Sequence, residues 1–305
     1  VATANGGALV VGDLLESAPA TGKRLDYLDF ARRIEAEVRA RHEAADFEVQ
    51  VIGVAKQIGD IADGARSVLA FFTLAFFLTA LSVWMYCRSA TLTAITLVSS
   101  LVSVVWQFGT LWLLGYGLDP LAVLVPFLVF AIGVSHGVQQ INFIAKGVCA
   151  GADSMTAARR AFSGLLIPGS MALVTAFVGF ATLTLIPIPM IRELGITASI
   201  GVAYKIVTNL VMLPVCASFL RFDDGYVARM KRLRERRERA MALLGRVAET
   251  RNAAIGTAVC AALFAVAVVQ SQGRHVGHLE SGAPELRPDS RYNLDNEKII
   301  GSYSI

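Results

Sequence analysis

The sequence predicts an all-α polytopic membrane bundle of six transmembrane helices, with partial α/β segments on its outer side. Composition is the first observation, because 55% hydrophobic residues, 17% charged residues and a mean hydropathy of +0.57 are atypical of globular proteins. The second is a set of apolar segments that approach or exceed the roughly 20 residues needed to cross a bilayer. These predicted spans, numbered first to sixth, are residues 67–86, 92–114, 121–143, 165–185, 195–219 and 253–269.

The segment before the first span reads as a strand, a helix and a second strand. Residues 8–14 are β-like, residues 26–42 repeat apolar side chains at helical spacing, and residues 47–54 alternate. This order predicts a βαβ unit. Because it contains no glycine-rich phosphate loop, we favour a scaffold or substrate-path subdomain over nucleotide binding. Residues 58–66 are expected to run helically into the first span.

Basic residues are concentrated in alternate linkers, which predicts the orientation of the spans. Residues 221–251 carry ten Lys or Arg against five Asp or Glu. Arg88 and the pair Arg159 and Arg160 lie in two other linkers, so these three linkers are predicted to be cytoplasmic. The expected divisions are an outer segment 1–66, a five-helix core 67–219, a basic linker 220–252, a span 253–270 and an outer tail 271–305.

Two inner segments are predicted to be helical. Asp153 or Ser154 can cap a short amphipathic helix that leads into the fourth span. The basic linker is expected to form a longer helix lying on anionic lipid, with an apolar stripe of Met230, Leu233, Ala240 and Leu243. We expect no nucleic-acid partner.

The ends of the sequence predict a piece of a larger protein. Residues 1–66 have no signal segment before them, yet they are expected to lie outside the membrane, so an earlier span is expected upstream. The polar tail stops without a closing element.

Metal, cofactor and disulfide chemistry are not predicted. The cysteines lie in spans or on the inner side, namely Cys87, Cys149, Cys216 and Cys260. His275 and His278 lack the further ligands of a zinc site. No nucleophile, base and orienting group occur together, so the sequence does not predict an enzyme.

Polar residues of the third span form two rows on a helix. Ser135, Gln139 and Asn142 recur at i, i+4 and i+7, while His136 and Gln140 form the adjoining row. Gly133 and Gly137 permit close approach of a neighbouring helix. His136 is either a structural histidine bonded across helices or a group that changes charge near neutral pH.

Lys205 lies near the centre of the fifth span and is followed by Thr208 and Asn209. The six predicted spans contain no Asp or Glu. Three explanations follow for Lys205. It is neutral, it lines a water-filled path, or its carboxylate partner belongs to a part of the protein outside this sequence.

The chain resembles exporters of the resistance-nodulation-division (RND) superfamily. The resemblance rests on ARRAFSGLLIPGS at residues 158–170, TAFVGF at 175–180, IRELGITASIGV at 191–202, and PELRPDSRYN at 284–293. The branch it is most similar to is the mycobacterial membrane protein large (MMPL) family, which is related to the sterol-sensing domains of Patched-like proteins.

The resemblance implies a twelve-span transporter of two similar halves in the bacterial inner membrane. The first five spans here would correspond to family spans two to six, and the sixth to span seven, flanked by parts of the two periplasmic porter domains. In the family, the fourth span carries an acidic proton relay, where this sequence has Ser135 and His136. His136, Ser135 and Lys205 are therefore the expected coupling residues, with Gln139, Gln140, Asn142, Thr208 and Asn209 as the supporting polar cluster.

Two function classes follow from the resemblance. The first is a proton-driven exporter of a lipid-like or other hydrophobic substrate, and the second is a non-transporting lipid sensor of the sterol-sensing kind. The porter segments favour the exporter. Its expected partners are membrane lipids, the substrate and the second half of the transporter, and the resemblance leaves open periplasmic partner proteins.

Overall fold

The computed structural model describes residues 7–15, 17, 22, 25–117, 122–273 and 282–303. The chain divides into two compact units. One combines the chain up to Ala70 with the chain from Arg274, and the other is Phe71–Gly273. The first is called the terminal unit below, and the second the membrane unit.

Six helices of the described chain are long and apolar enough to cross a membrane, which agrees with the predicted number. The protein is therefore a multi-pass membrane protein. The helices are longer than the predicted segments, because their polar ends continue the helix beyond the apolar stretch. In order, the spans are Val54–Cys87, Ala90–Leu113, Ala122–Cys149, Ser154–Leu185, Pro189–Ser218 and Thr250–Ser271.

The ends of the spans follow local signals. The Ser89 side chain caps the second span by accepting from the backbone N–H of Leu92 at 3.3 Å. Asp153 caps the fourth span by accepting from the N–H of Thr156 at 3.2 Å, as predicted, although the amphipathic turn and the span form one continuous helix. Gly151 follows the third span with a φ of +91°, a left-handed conformation that favours glycine after a helix.

The second, third and fifth spans form the centre of the membrane unit. In their most apolar windows 50%, 44% and 50% of residues are buried, against 6%, 11% and 0% for the first, fourth and sixth. These three spans are therefore central in the described membrane unit, and the first, fourth and sixth are peripheral. Buried residues from all three central spans, including Leu92, Val129 and Ala198, share one apolar core.

The fifth span contains an irregular segment. Regular α-helix ends at Lys205, π-helix covers Ile206–Met212, and α-helix resumes over Leu213–Ser218. A π-helical turn holds more residues than an α-helical turn and often lies at a functional site.

The basic linker forms the helix Asp224–Gly245, called the basic helix below. Its first half packs against the spans of the membrane unit, because Tyr226 and Met230 are buried in the apolar core and Leu233 packs against it. Arg237 donates to the carbonyl oxygen of Tyr86 at 2.8 Å and stacks on the Tyr86 ring. The side chains of Ala240 and Leu243, the rest of the predicted stripe, lie outside the described residues.

The terminal unit does not contain the predicted βαβ fold. The predicted helix is present as Tyr27–Arg33, a π-helical segment Ile34–Arg39 and Ala40–His42. No strand is assigned to the described residues of 8–14 and 47–54, and Phe47 makes an isolated bridge with Ala44. Side chains form hydrogen bonds with backbone groups that would pair with a neighbouring strand in a sheet. Arg39 donates to the carbonyl of Val49 at 2.7 Å, and the N–H of Val51 donates to Asp295 at 3.0 Å.

A charge network joins the two chain segments of the terminal unit. Arg39 pairs with Asp295 at 2.5 Å, and both side chains are almost fully buried. Arg39 also pairs with Glu35 at 2.7 Å, and Glu35 pairs with Lys56 at 2.9 Å. Asp295 lies on the C-terminal helix Arg291–Tyr303. Removing one member of a buried pair leaves an uncompensated charge, so this network fixes the C-terminal helix against the N-terminal one.

Candidate functional site

Lys205 is completely buried among the central spans. Its ammonium group donates to the carbonyl oxygen of Ser100 on the second span at 2.9 Å. In the described part of the chain no carboxylate forms an ion pair with it. Burying a charged amine with only one neutral acceptor costs free energy. Gain or loss of a proton by Lys205 is therefore expected to change its interactions with the surrounding helices.

The turn after Lys205 extends the polar contacts to the third span. Asn209 donates from its side-chain amide to the carbonyl oxygen of Gly133 at 2.7 Å. Thr208 and Asn209 are both fully buried. Lys205 and Asn209 therefore connect the fifth span to the second and to the third span by direct hydrogen bonds.

Glycines on the third span make this close approach possible. A Cβ atom on Gly133 would overlap the Lys205 ammonium group and would lie 2.7 Å from Ser100 Oγ. A Cβ atom on Gly137 would lie 2.6 Å from Thr96 Cγ2. The two glycines thus provide the surface against which the second and fifth spans pack.

The third span places its polar residues on two different faces. Gln140 is buried on the same side as Gly133 and Gly137, whereas Ser135 and Gln139 are exposed at the surface of the membrane unit. His136 and Asn142 are partly buried. Nδ1 of His136 lies 3.0 Å from the carbonyl oxygen of Ile132 in its own helix. Among the described residues no hydrogen bond joins His136 to Lys205, so the structure does not gather the predicted coupling residues into one contact.

The second span contributes polar residues that the sequence reasoning missed. Ser100 and Gln107 are fully buried, and Gln107 donates to the carbonyl of Thr197 on the fifth span at 2.8 Å. The signal was present in the sequence as a polar row at helical spacing, at i, i+4, i+7 and i+11. That row consists of Thr96, Ser100, Ser103 and Gln107.

Several buried polar atoms at these helix contacts have no hydrogen-bond partner within the described residues. A buried polar atom without a partner costs about 1–3 kcal/mol, so such atoms are expected to bind water or a polar ligand group. This set of buried polar groups on the second, third and fifth spans is called the polar interior below. Besides Lys205, it comprises Ser99 Oγ, Ser100 Oγ, Gln107 Oε1, both side-chain polar atoms of Gln140, Thr208 Oγ1 and Asn209 Oδ1.

Metal ligands are not grouped in the described part of the chain, where no three His, Cys, Asp or Glu side chains are arranged to hold an ion. His275 and His278 lie outside the described residues. In the polar interior the Lys205 amine can take up and release a proton, and the hydroxyl and amide groups can donate and accept hydrogen bonds.

These features define a multi-pass membrane protein whose three central spans enclose a polar interior. The sequence model described as "MMPL family" matches residues 26–249. The chain therefore belongs to the MMPL family, and the RND-superfamily resemblance seen in its sequence is confirmed.

Curated relatives of this chain are bacterial multidrug resistance proteins. It is 25% identical over 193 residues to multidrug resistance protein MdtC of Yersinia pseudotuberculosis serotype O:1b, which covers 62% of this chain and 19% of the relative. MdtC of Yersinia enterocolitica serotype O:8 is 24% identical over the same length and coverage. The matched region is thus about one fifth of the length of these relatives.

Proposed function

We propose that this chain forms the membrane core of an RND-type exporter that uses the proton-motive force to move a lipid-like or other hydrophobic substrate. The observation that carries the proposal is the burial of Lys205 at the contact of the second, third and fifth spans. Ionisable groups at such positions cost about 2.5–3.5 kcal/mol on insertion scales and commonly mark proton or ion pathways. Family membership supports export as the use of this pathway.

Proton uptake by Lys205 would change the helix contacts directly. The neutral amine can accept a hydrogen bond from a neighbouring hydroxyl, whereas the ammonium form can only donate. Ser100 Oγ is buried without a partner among the described residues and lies beside Gly133 together with the Lys205 amine, so it is the hydroxyl placed to respond to this change. A change of charge at Lys205 is therefore expected to alter how the fifth span packs on the second.

The proposed mechanism gives a separate role to the polar residues on the outer face of the third span, which are His136, Ser135 and Gln139. Ser135 and Gln139 are exposed on the membrane unit, and His136 is partly buried beside them. A polar row is unfavourable against lipid, so we propose that the second half of the transporter covers this face. His136 would then pass protons to, or bond with, an acidic residue of that half.

The proposed orientation places the basic helix in the cytoplasm of a bacterial cell and the terminal unit in the periplasm. The basic helix and Arg88 supply positive charge to one side, in keeping with the positive-inside rule. In this orientation the terminal unit would belong to the periplasmic porter domains, through which the substrate passes.

Export of the dye Nile red from cells that produce the full-length protein tests the proposal. Active export should stop when a protonophore collapses the proton gradient. Lys205→Met keeps the length and removes the charge, so it should reduce export to background at normal expression. The matched control is Lys146→Met, because Lys146 is exposed near the end of the third span.

His136→Ala is expected to reduce export as well, by removing the exchangeable proton. Full export by both the Lys205→Met and the His136→Ala proteins would refute a coupling role for these residues. Binding of the dye without proton-dependent export would instead assign the protein to the lipid-sensing class. That class has an observation in its favour, since the predicted spans carry no acidic residue.

A further inference from the structure

A cleft of about 270 Å³ opens in the membrane unit where the basic helix passes the turn between the first and second spans. Four arginines dominate its lining, and none of the residues that line it is acidic. The lining consists of Arg88, Arg229, Arg232, Leu233 and Arg236. This feature is called the arginine cleft below.

The fold places these arginines together in a fixed arrangement. Arg229, Arg232 and Arg236 recur at i, i+3 and i+7 on the basic helix, so they share one face. Tyr226 and Met230 are buried in the apolar core and hold this part of the helix in place. The positive charges therefore converge because the helix is docked, and not because of their local sequence alone.

Arg88 completes the cleft from the other side. It directly follows the first span, which ends at Cys87, and its backbone has a φ of +49°, a left-handed conformation that is uncommon outside glycine. Its guanidinium group lies 5.5 Å from the centre of the Trp84 ring. The left-handed turn at Arg88 therefore ends the first span at a point from which the Arg88 side chain lines the cleft together with the arginines of the basic helix.

None of the four cleft arginines forms an ion pair within the described residues. On the same helix, Arg234 pairs with Glu238 at 2.7 Å. Like charges at helical spacing repel, and no acidic side chain offsets the repulsion among Arg229, Arg232 and Arg236 as Glu238 offsets the charge of Arg234. An anion in the cleft would offset this repulsion.

We propose that the arginine cleft binds a phosphate group, carried by the headgroup of an anionic membrane lipid or by a soluble phosphate. Guanidinium groups match phosphate oxygens with two parallel hydrogen bonds, and several of them around one anion favour phosphate over a single carboxylate. The position beside the end of a membrane span and the presence of Leu233 in the lining favour the lipid as the source.

Native mass spectrometry of the full-length protein tests the lipid source, with dioleoylphosphatidylglycerol compared against dioleoylphosphatidylcholine. The cleft variant is Arg232→Gln/Arg236→Gln, and the matched control is Lys231→Gln/Arg234→Gln. Both remove two positive charges from the same turns of the same helix. The anionic lipid should bind the cleft variant roughly fivefold more weakly for each arginine removed, and the loss in the control should be clearly smaller, because its two charges lie outside the cleft.

Calorimetric titration with inorganic phosphate tests the soluble source on the same proteins. Phosphate binding that is lost only in the cleft variant, with lipid binding unchanged, would assign the site to a soluble phosphate. Equal loss in the cleft variant and the control would show a non-specific effect of charge and overturn the proposal. Failure of the wild type to prefer the anionic lipid and to bind phosphate would overturn it too. Equal unfolding temperatures of the two variants establish that a difference between them arises from the cleft.

Discussion

Gly133 and Lys205 are mutually dependent residues at the centre of the membrane unit. The missing side chain of Gly133 is what leaves space for the Lys205 ammonium group against the second span. The carbonyl of Gly133 also accepts the amide of Asn209. One position of the third span therefore contacts two side chains of the fifth span. Its lack of a side chain leaves space for Lys205, and its carbonyl oxygen accepts from Asn209.

Gly133→Ala should destabilise the protein by about 1–3 kcal/mol, because the added methyl group overlaps the Lys205 side chain and approaches Ser100 Oγ at 2.7 Å. Gly109→Ala is the control, since nothing lies within 4 Å of the corresponding Cβ position on the second span. Thermal unfolding in detergent measures the difference. Equal unfolding temperatures for the two variants would contradict the close packing described above.

Glu35 makes the terminal unit sensitive to acid. Burial raises the pKa of this carboxyl group, but the ion pairs with Lys56 and Arg39 lower it by more, so its net pKa lies below the usual 4.5. A carboxylate with a lowered pKa stabilises the fold above its unfolded pKa, and this contribution is lost as the pH falls through its folded pKa. The stability of this unit should therefore fall as the pH is lowered below about 4.5.

Denaturant unfolding between pH 7 and pH 3 measures this loss. Glu35→Gln should be less stable than wild type at neutral pH and should lose less on acidification. Glu37→Gln is the control, because Glu37 pairs with Arg33 at an exposed position. An identical pH dependence for wild type and Glu35→Gln would exclude Glu35 as a source of acid sensitivity.

At the scale of elements, the basic helix is a packed component of the membrane unit as well as a linker. Tyr226 is buried, and its hydroxyl group has no hydrogen-bond partner among the described residues. Burial raises the pKa of Tyr226 well above its usual value, so the phenol stays neutral throughout the physiological range. The ring contributes apolar packing, whereas the hydroxyl group contributes no hydrogen bond that the described structure shows.

Tyr226→Phe should accordingly leave the stability unchanged or raise it, because it removes a buried polar atom without a partner. Tyr226→Ala should cost about 3–5 kcal/mol by leaving a cavity between the basic helix and the core. Limited proteolysis within the basic helix reports its docking. A Phe variant that is cleaved as fast as the Ala variant would show that the hydroxyl group makes an essential contact.

The elements differ in how far the sequence could predict them. The spans were predictable because their length and hydrophobicity are local properties, and the Asp153 cap is a local signal too. The strands at 8–14 and 47–54 were predicted wrongly, because a strand requires a partner that the local alternation does not reveal. Lys205 was identified as a buried ionisable residue, but its acceptor, Ser100, is 105 positions away and could not be inferred.

At the scale of the whole molecule, orientation remains a prediction that follows from charge. Glu285→Cys in the terminal unit and Glu235→Cys on the basic helix, each in a background without native cysteines, test it. Both positions are exposed. An impermeant thiol reagent added to the periplasmic side should label the first in intact cells and the second only after permeabilisation. The reverse pattern would invert the proposed topology.

The π-helical segment of the fifth span has a mechanical consequence. Ile206–Met212 begins where the α-helix carrying Lys205 ends, and it holds more residues per turn than the α-helix on either side. If the segment relaxed to α geometry by one residue, Leu213–Ser218 would rotate by about 100° and advance by about 1.5 Å. Gain or loss of a proton at Lys205 could then be transmitted to the far end of the same helix as a combined rotation and translation.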